Sequence, residues 1–160
     1  MQRIVFKRNE HIKNLSREHH FNLLFCWKIR QGLKNEVAIE RICKYVQYFW
    51  QKLQLHFREE EQIFFVPMKD RMVQRAINEH KHIKKQIINL EHYSENNARK
   101  LLVELTELVY DHVQYEEREL FPHLEKTLSK AQIENINNQI QKHQSSTLLD
   151  YYEDQFWNSK

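Results

Sequence analysis

The sequence predicts an all-α protein: an antiparallel four-helix bundle with a short additional C-terminal helix and tail. Three observations carry that reading. Among 160 residues there is one glycine, Gly32, and there are two prolines, Pro67 and Pro122, so the turn chemistry of hairpins is nearly absent. Leu, Ile, Lys, Gln and Glu are plentiful, and all are compatible with helices. Apolar residues recur at three- and four-residue steps, the period of a helix with one buried face. The length suits one domain with a real core. Residues 10–128 are expected to form the bundle, and residues 129–160 a helix and apolar tail packed on it.

The elements follow in order. A first helix is expected from about residue 10 to residue 33, with Gly32 in its last turn as a stop signal. Asn35 is placed to cap the second helix. That helix carries Ile42, Val46, Phe49, Leu53, His56, Glu60 and Ile63 on one face and runs towards Pro67. The third spans about residues 69–92, with Val73, Ile77, His80, Ile83 and Ile87 on one side. Residues 93–97 give the clearest loop signal. The fourth helix starts near Ala98 and should be kinked or ended by Pro122. Ser129-Lys130-Ala131-Gln132 resembles a capping box and opens a shorter polar helix reaching about His143. Leu148, Leu149, Tyr151, Tyr152, Phe156 and Trp157 are too many large apolar groups for a solvated end. The tail is expected to pack on the bundle or on a partner, a homodimer included.

Composition excludes several function classes. The 25 Lys+Arg and 22 Asp+Glu give a formal net charge of +3, and the basic residues are scattered, so no nucleic-acid footprint is indicated. Cys26 and Cys43 lie far apart without a C-x-x-C and read better as reduced core residues than as a disulfide. No secretory signal is visible. The longest wholly apolar run, residues 23–27, is far too short to span a membrane, so a cytoplasmic protein is expected. Neither a nucleophile within a His/Asp arrangement nor a Gly-rich phosphate loop occurs.

Chemistry enters through a phrase used twice. His56-Phe57-Arg58-Glu59-Glu60-Glu61 runs on to Phe65, and His112-Val113-Gln114-Tyr115-Glu116-Glu117 runs on to Phe121. Both read H-x-x-x-E-E-x-x-x-x-F, with Pro67 or Pro122 close behind. Residues four apart on a helix share a face, so an imidazole and a carboxylate are aimed at one point, as iron or zinc accepts. The bland alternative is an exposed contact worth about 0.2–0.5 kcal/mol. Against it, both pairs lie inside apolar stripes: His56 and Glu60 in the stripe above, His112 and Glu116 between Leu105, Val109 and Leu120. Burying unpaired carboxylates is costly, which favours metal coordination.

Each helix pair also offers a lone histidine before its His-x-x-x-Glu. On the third helix this is His80. On the first, His19 and His20 are adjacent and both remain candidates. Ile12, Leu15, Leu23, Cys26 and Leu33 cluster around the direction of His19, while His20 shares its side with Lys13, Ser16, Arg17 and Gln31. His11, His82, His92, His123 and His143 are expected on solvated faces, His123 near the end of a site helix.

The order His19 (or His20), His56-x-x-x-Glu60, His80, His112-x-x-x-Glu116 resembles the hemerythrin-like, HHE cation-binding family. Leu15-Ser16-Arg17-Glu18-His19 is similar to that family's L-x-x-E-H opening, and Glu116-Glu117-Arg118-Glu119-Leu120-Phe121-Pro122 to its E-x-x-x-L-F-P ending. The resemblance implies two non-haem iron ions, oxo- or hydroxo-bridged, inside the bundle. The two glutamates would bridge them and the histidines would fill outer positions. Zinc or another divalent metal is a possible occupant of a recombinant preparation.

Oxygen-carrying members have a further histidine four residues after the one on the third helix, where this chain has Lys84. Their last carboxylate is a more widely spaced aspartate. Four histidines and two glutamates are more similar to the iron-centre repair proteins of nitrosative stress, whose N-terminal extension with paired cysteines is not seen here. The function implied is binding or processing of O2, NO or peroxide, in sensing or stress response. Iron storage, delivery or metal sensing through a protein partner is the alternative.

Overall fold

The computed structural model describes residues 10–142 and 150–158, with side chains described for 15–139 and 150–158. His143, Leu148 and Leu149 lie outside the described residues, as do the side chains of His11 and Ile12. The chain folds as an all-α bundle of α1 (Glu10–Lys34), α2 (Ile39–Glu59), α3 (Arg71–Glu91) and α4 (Glu95–Tyr115). After a widened turn the path of α4 continues as α5 (Phe121–Thr127), and α6 (Lys130–Lys142) follows. The long helices alternate in direction. The end of α1 meets the start of α4, where the Arg99 guanidinium donates to the Leu33 carbonyl at 3.0 and 3.1 Å. Midway along α1, Phe25 stacks on Phe49 of α2 at 4.4 Å, and Gln86 of α3 donates to the Leu101 carbonyl of α4. No helix among the described residues is long and apolar enough to cross a membrane.

The α1–α2 turn differs from expectation in an informative way. Glu36, not a glycine, takes the left-handed conformation (φ 54°). Val37 N–H donates to the Gly32 carbonyl at 3.0 Å and Glu36 N–H to the Leu33 carbonyl at 3.2 Å. That pair of bonds is the Schellman motif, which closes α1 after Lys34 without using Gly32 as the stop. Gly32 is needed elsewhere: a Cβ there would stand 2.8 Å from the Phe156 ring and 3.0 Å from Ile42. Asn35 does not cap α2. Its amide donates to the Trp157 carbonyl at 3.4 Å, and α2 begins after Ala38 with no side-chain cap.

Other boundaries shift less. Asp70 caps α3 by accepting from Val73 N–H. α4 starts at Glu95 rather than Ala98, so the preceding loop is shorter than the polar run suggested. Pro122 does not end the helical path. It sits in the first turn of α5, where a missing N–H costs nothing. Ser129 and Gln132 form the reciprocal capping box, with bonds of 2.9 and 3.2 Å.

Two apolar clusters fill the bundle. One gathers Phe25, Ile29, Leu33, Tyr45, Phe49, Leu53, Ile83, Ile87 and Leu105; the other gathers Leu15, Phe64, Phe65, Val73, Tyr115, Phe121 and Leu124, with Ile136 of α6. The tail belongs to the first. Phe156 is fully buried there, with Tyr152 and Trp157 packed against it. Lys28 of α1 bonds Asp150 at 2.8 Å and lies over the Trp157 ring at 4.1 Å. Cys26 and Cys43 are buried free thiols.

Candidate metal centre

Between the apolar clusters lies a buried polar core. His19 comes from α1, His56 and Glu60 from the end of α2, His80 from α3, and His112 and Glu116 from the end of α4. Glu60 and Glu116 have no solvent exposure, and the four histidines are 2–4 % exposed. The ligating atoms of His19, His56, Glu60 and Glu116 all lie within 4.8 Å of one another, and so do those of Glu60, His80, His112 and Glu116. Both glutamates belong to both groups. Glu60 stands 3.1 Å from His56 Nε2 and 3.4 Å from His80 Nε2. Glu116 stands 2.6 Å from His112 Nε2 and 3.5 Å from His19 Nε2. Each carboxylate thus sits between one imidazole of each half.

The local backbone helps to place them. Both glutamates open a single widened turn, Glu60–Phe64 after α2 and Glu116–Leu120 after α4, in which Phe65 and Phe121 N–H donate back five residues to the Glu60 and Glu116 carbonyls. Such π-type turns gather at functional positions. Here the one after α4 also delivers the chain to Pro122, whose ring would clash with the carbonyl four residues earlier in an uninterrupted α-helix.

Three of the four imidazoles are oriented from behind by a hydrogen bond. His56 Nδ1 is bonded to Glu18 at 2.7 Å, His19 Nδ1 to Glu117 at 2.7 Å, and His112 Nδ1 to Glu79 at 2.9 Å. His80 Nδ1 faces Glu61 across a longer 3.7 Å. A carboxylate at Nδ1 keeps the proton there and turns a bare Nε2 lone pair inwards, as in carboxylate–histidine–metal chains. These outer carboxylates escape a reading confined to His-x-x-x-Glu. The signal for them was nonetheless present: Glu18-His19 repeats as Glu79-His80, and Glu60-Glu61 repeats as Glu116-Glu117. A pseudo-two-fold relates α1–α2 to α3–α4 and exchanges the partners in step.

The chemistry of this set fits cations. His19 and His56 Nε2 and all four carboxylate oxygens of Glu60 and Glu116 are buried without a hydrogen-bond partner. His80 and His112 Nε2 face each other at 3.0 Å, an arrangement that two lone pairs tolerate only with a proton or metal between them. Without metal, protons take that role. Burial and then the Glu116 charge push the Glu60 carboxyl up. Burial works against a charged His112, but Glu116, Glu79 and Glu60 outweigh it and hold the imidazolium up to about 10. For Glu116, burial is overcome by the His112 charge, and its pKa falls. Imidazole and carboxylate donors at this spacing suit iron, and zinc as well.

Of the two adjacent histidines only His19 joins the cluster. His20 is exposed, with its ring against Phe21. His82 and His92 are exposed, and His123 is half-buried against Asp70 at 2.6 Å. Lys84 is exposed and offers the centre nothing.

Comparison with known proteins agrees with this geometry. No significant match was found among curated proteins or solved structures. A family model described as the hemerythrin HHE cation binding domain matches residues 10–124, a span that holds every residue of the cluster. The chain therefore belongs to the hemerythrin HHE cation-binding domain family.

Proposed function

We propose that the protein holds two non-haem iron ions in this core and uses them to bind or process O2, NO or peroxide. The observation that carries the reading is the sharing of Glu60 and Glu116 between two groups of four candidate ligands. His19 and His56 would serve one ion, His80 and His112 the other, and the carboxylates both. An iron pair supplies redox chemistry and open coordination to a small ligand. With Lys84 exposed, each ion would have only two imidazoles, which favours reaction over reversible carriage. On this count the ligand pattern stands nearer to iron-centre repair proteins than to oxygen carriers.

The chain's own residues prepare the site. Glu18, Glu79 and Glu117 fix the tautomer and aim of their imidazoles. Phe57 stacks on His80 at 3.9 Å and Phe121 on His19 at 5.3 Å, so the rings are held by packing as well as by bonds. The apolar clusters on either side keep bulk water away and strengthen electrostatic attraction to a cation. Iron delivery to a protein partner through the tail is the weaker reading, because Phe156, Tyr152 and Trp157 are already packed on their own bundle.

Metal analysis and the ultraviolet–visible spectrum of anaerobically purified protein, before and after air, test the proposal. About two irons per chain, with an absorption band that responds to O2, NO or peroxide, is the expected result. Folded protein that refuses iron after anaerobic reconstitution would overturn it.

A further inference from the structure

The four outer carboxylates are not equivalent. Glu18, Glu117 and Glu79 are bonded to their imidazoles at 2.7, 2.7 and 2.9 Å, whereas Glu61 stands 3.7 Å from His80 Nδ1. The Glu61 side chain is also the most open of the four, 35 % exposed against 10 % for Glu18, 24 % for Glu117 and 25 % for Glu79. His80 is 4 % exposed, and its Nδ1 is buried without a hydrogen bond. Buried polar atoms in native proteins are nearly always paired, so this one needs a reason.

Glu61 borders a groove of about 500 Å³ at the α2–α3 turn, shared with Phe65 and with Val73 and Ile77 of α3. Its inner wall reaches the centre. The Phe65 ring faces the His80 imidazole at 6.1 Å, and Ile77 lies one helical turn before His80. Three other charged groups line the groove. Lys69 and Arg71 are exposed, and the Asp70 carboxylate is held by Val73 N–H at 3.0 Å and His123 at 2.6 Å. Among them, Glu61 is the one that faces a candidate ligand. A second groove, of about 400 Å³, runs along α3 to Glu79. There the carboxylate is already taken, by Arg75 at 3.1 Å and His112 at 2.9 Å.

We infer that this groove is the entrance by which a divalent transition-metal cation reaches the centre, with Glu61 as the first protein group to take it and His80 as the next. A hydrated cation cannot shed all its water into a buried core in one step, because an uncompensated charge there is costly. A half-exposed carboxylate replaces part of that water at the mouth. A carboxylate locked to its imidazole could not change partner in this way, and Glu61 is the one that is not locked. The three anchored imidazoles keep the shape of the site, while Phe57, stacked on His80 at 3.9 Å, holds the plane of the fourth. This rests on the reading of the core as a metal centre and goes beyond it by naming the way in.

Cobalt(II) is the probe, because its visible absorption reports binding to imidazole and carboxylate. Stopped-flow loading of metal-free protein, and release into excess EDTA, would be followed in wild type, Glu61→Gln, Val66→Trp and Glu79→Gln. Val66 is 58 % exposed at the groove, so a tryptophan there obstructs the mouth without touching the centre. Loading should be about three- to tenfold slower in Glu61→Gln and Val66→Trp, the range that one polar contact supplies. Release should slow as well, since an entrance serves both directions. Cobalt bound at saturation should match wild type in the Val66 variant. Glu79→Gln should load at the wild-type rate and release faster, because Glu79 orients His112 and stands off the path. If Glu61 merely orients His80, its variant will behave like Glu79→Gln, and that outcome overturns the inference. So does a Val66→Trp protein that loads as fast as wild type. Wild type that takes neither cobalt nor iron removes the metal-centre reading and the inference together, a failure distinct from equal loading rates.

Discussion

His56 is bonded through Nδ1 to Glu18 at 2.7 Å, across 38 residues of chain. The same relation joins His112 to Glu79. In both cases the residue just before a lone histidine orients the histidine of the following helix, so the histidines on each helix pair are linked one to the next. Removing Glu18 should leave the fold intact and weaken metal binding. Glu18→Gln and Glu79→Gln are each expected to lower iron affinity about 10- to 100-fold, read by chelator competition. Glu61→Gln should cost less, because Glu61 stands 3.7 Å from His80.

Metal-free and metal-bound protein should answer oppositely to a change at Glu60. Its carboxylate is fully buried beside Glu116, with neither oxygen hydrogen-bonded. Burial and the Glu116 charge push the Glu60 carboxyl up to about 8, so metal-free folding at pH 7 obliges it to take up a proton; Glu60→Gln removes that cost, and the metal-free variant should be more stable by about 1–3 kcal/mol in urea unfolding. Its iron content should fall below that of wild type. A metal-free variant less stable than wild type would show that Glu60 is not under electrostatic stress.

Gly32→Ala should loosen the tail. The added methyl meets the Phe156 ring at 2.8 Å, and that ring is fully buried, so relief requires the ring to leave. A loss of about 1–3 kcal/mol is expected from overpacking, with a change in Trp157 fluorescence. Pairing it with Phe156→Leu should recover part of the loss, and strict additivity would count against the contact.

Acid should weaken the start of α3 through Asp70. The Val73 N–H and, against slight burial, His123 hold its carboxyl below the usual carboxylate range. A lowered folded pKa gives stability that is complete above the unfolded value and is lost as pH falls through the folded one. Asp70→Asn keeps the cap, since asparagine caps comparably, but removes that dependence. The stability difference between metal-free wild type and variant should therefore shrink as pH falls below the ordinary aspartate range. A gap that widened on acidification would contradict the assignment.

Periodicity, scarcity of glycine and the repeated His-x-x-x-Glu were enough to determine an all-α bundle with a buried polar centre. Those signals are local, since a residue's face on a helix follows from its own neighbours within a turn. The same locality explains the misreadings. Asn35 looked like a cap and Gly32 like a stop, yet the turn is closed by Glu36 and Val37, while Gly32 and Asn35 answer to Phe156 and Trp157 more than a hundred residues away.

Only the tertiary structure decided between His19 and His20, because adjacent residues on a helix differ by about 100° and the neighbouring helices determine which direction is inside. It alone paired the outer carboxylates with histidines on other helices and left the Oδ1 of Asn22 buried without a partner. The sequence determined which side chains share a face. Packing four helices together decided which faces meet, and a site built from all four exists only there.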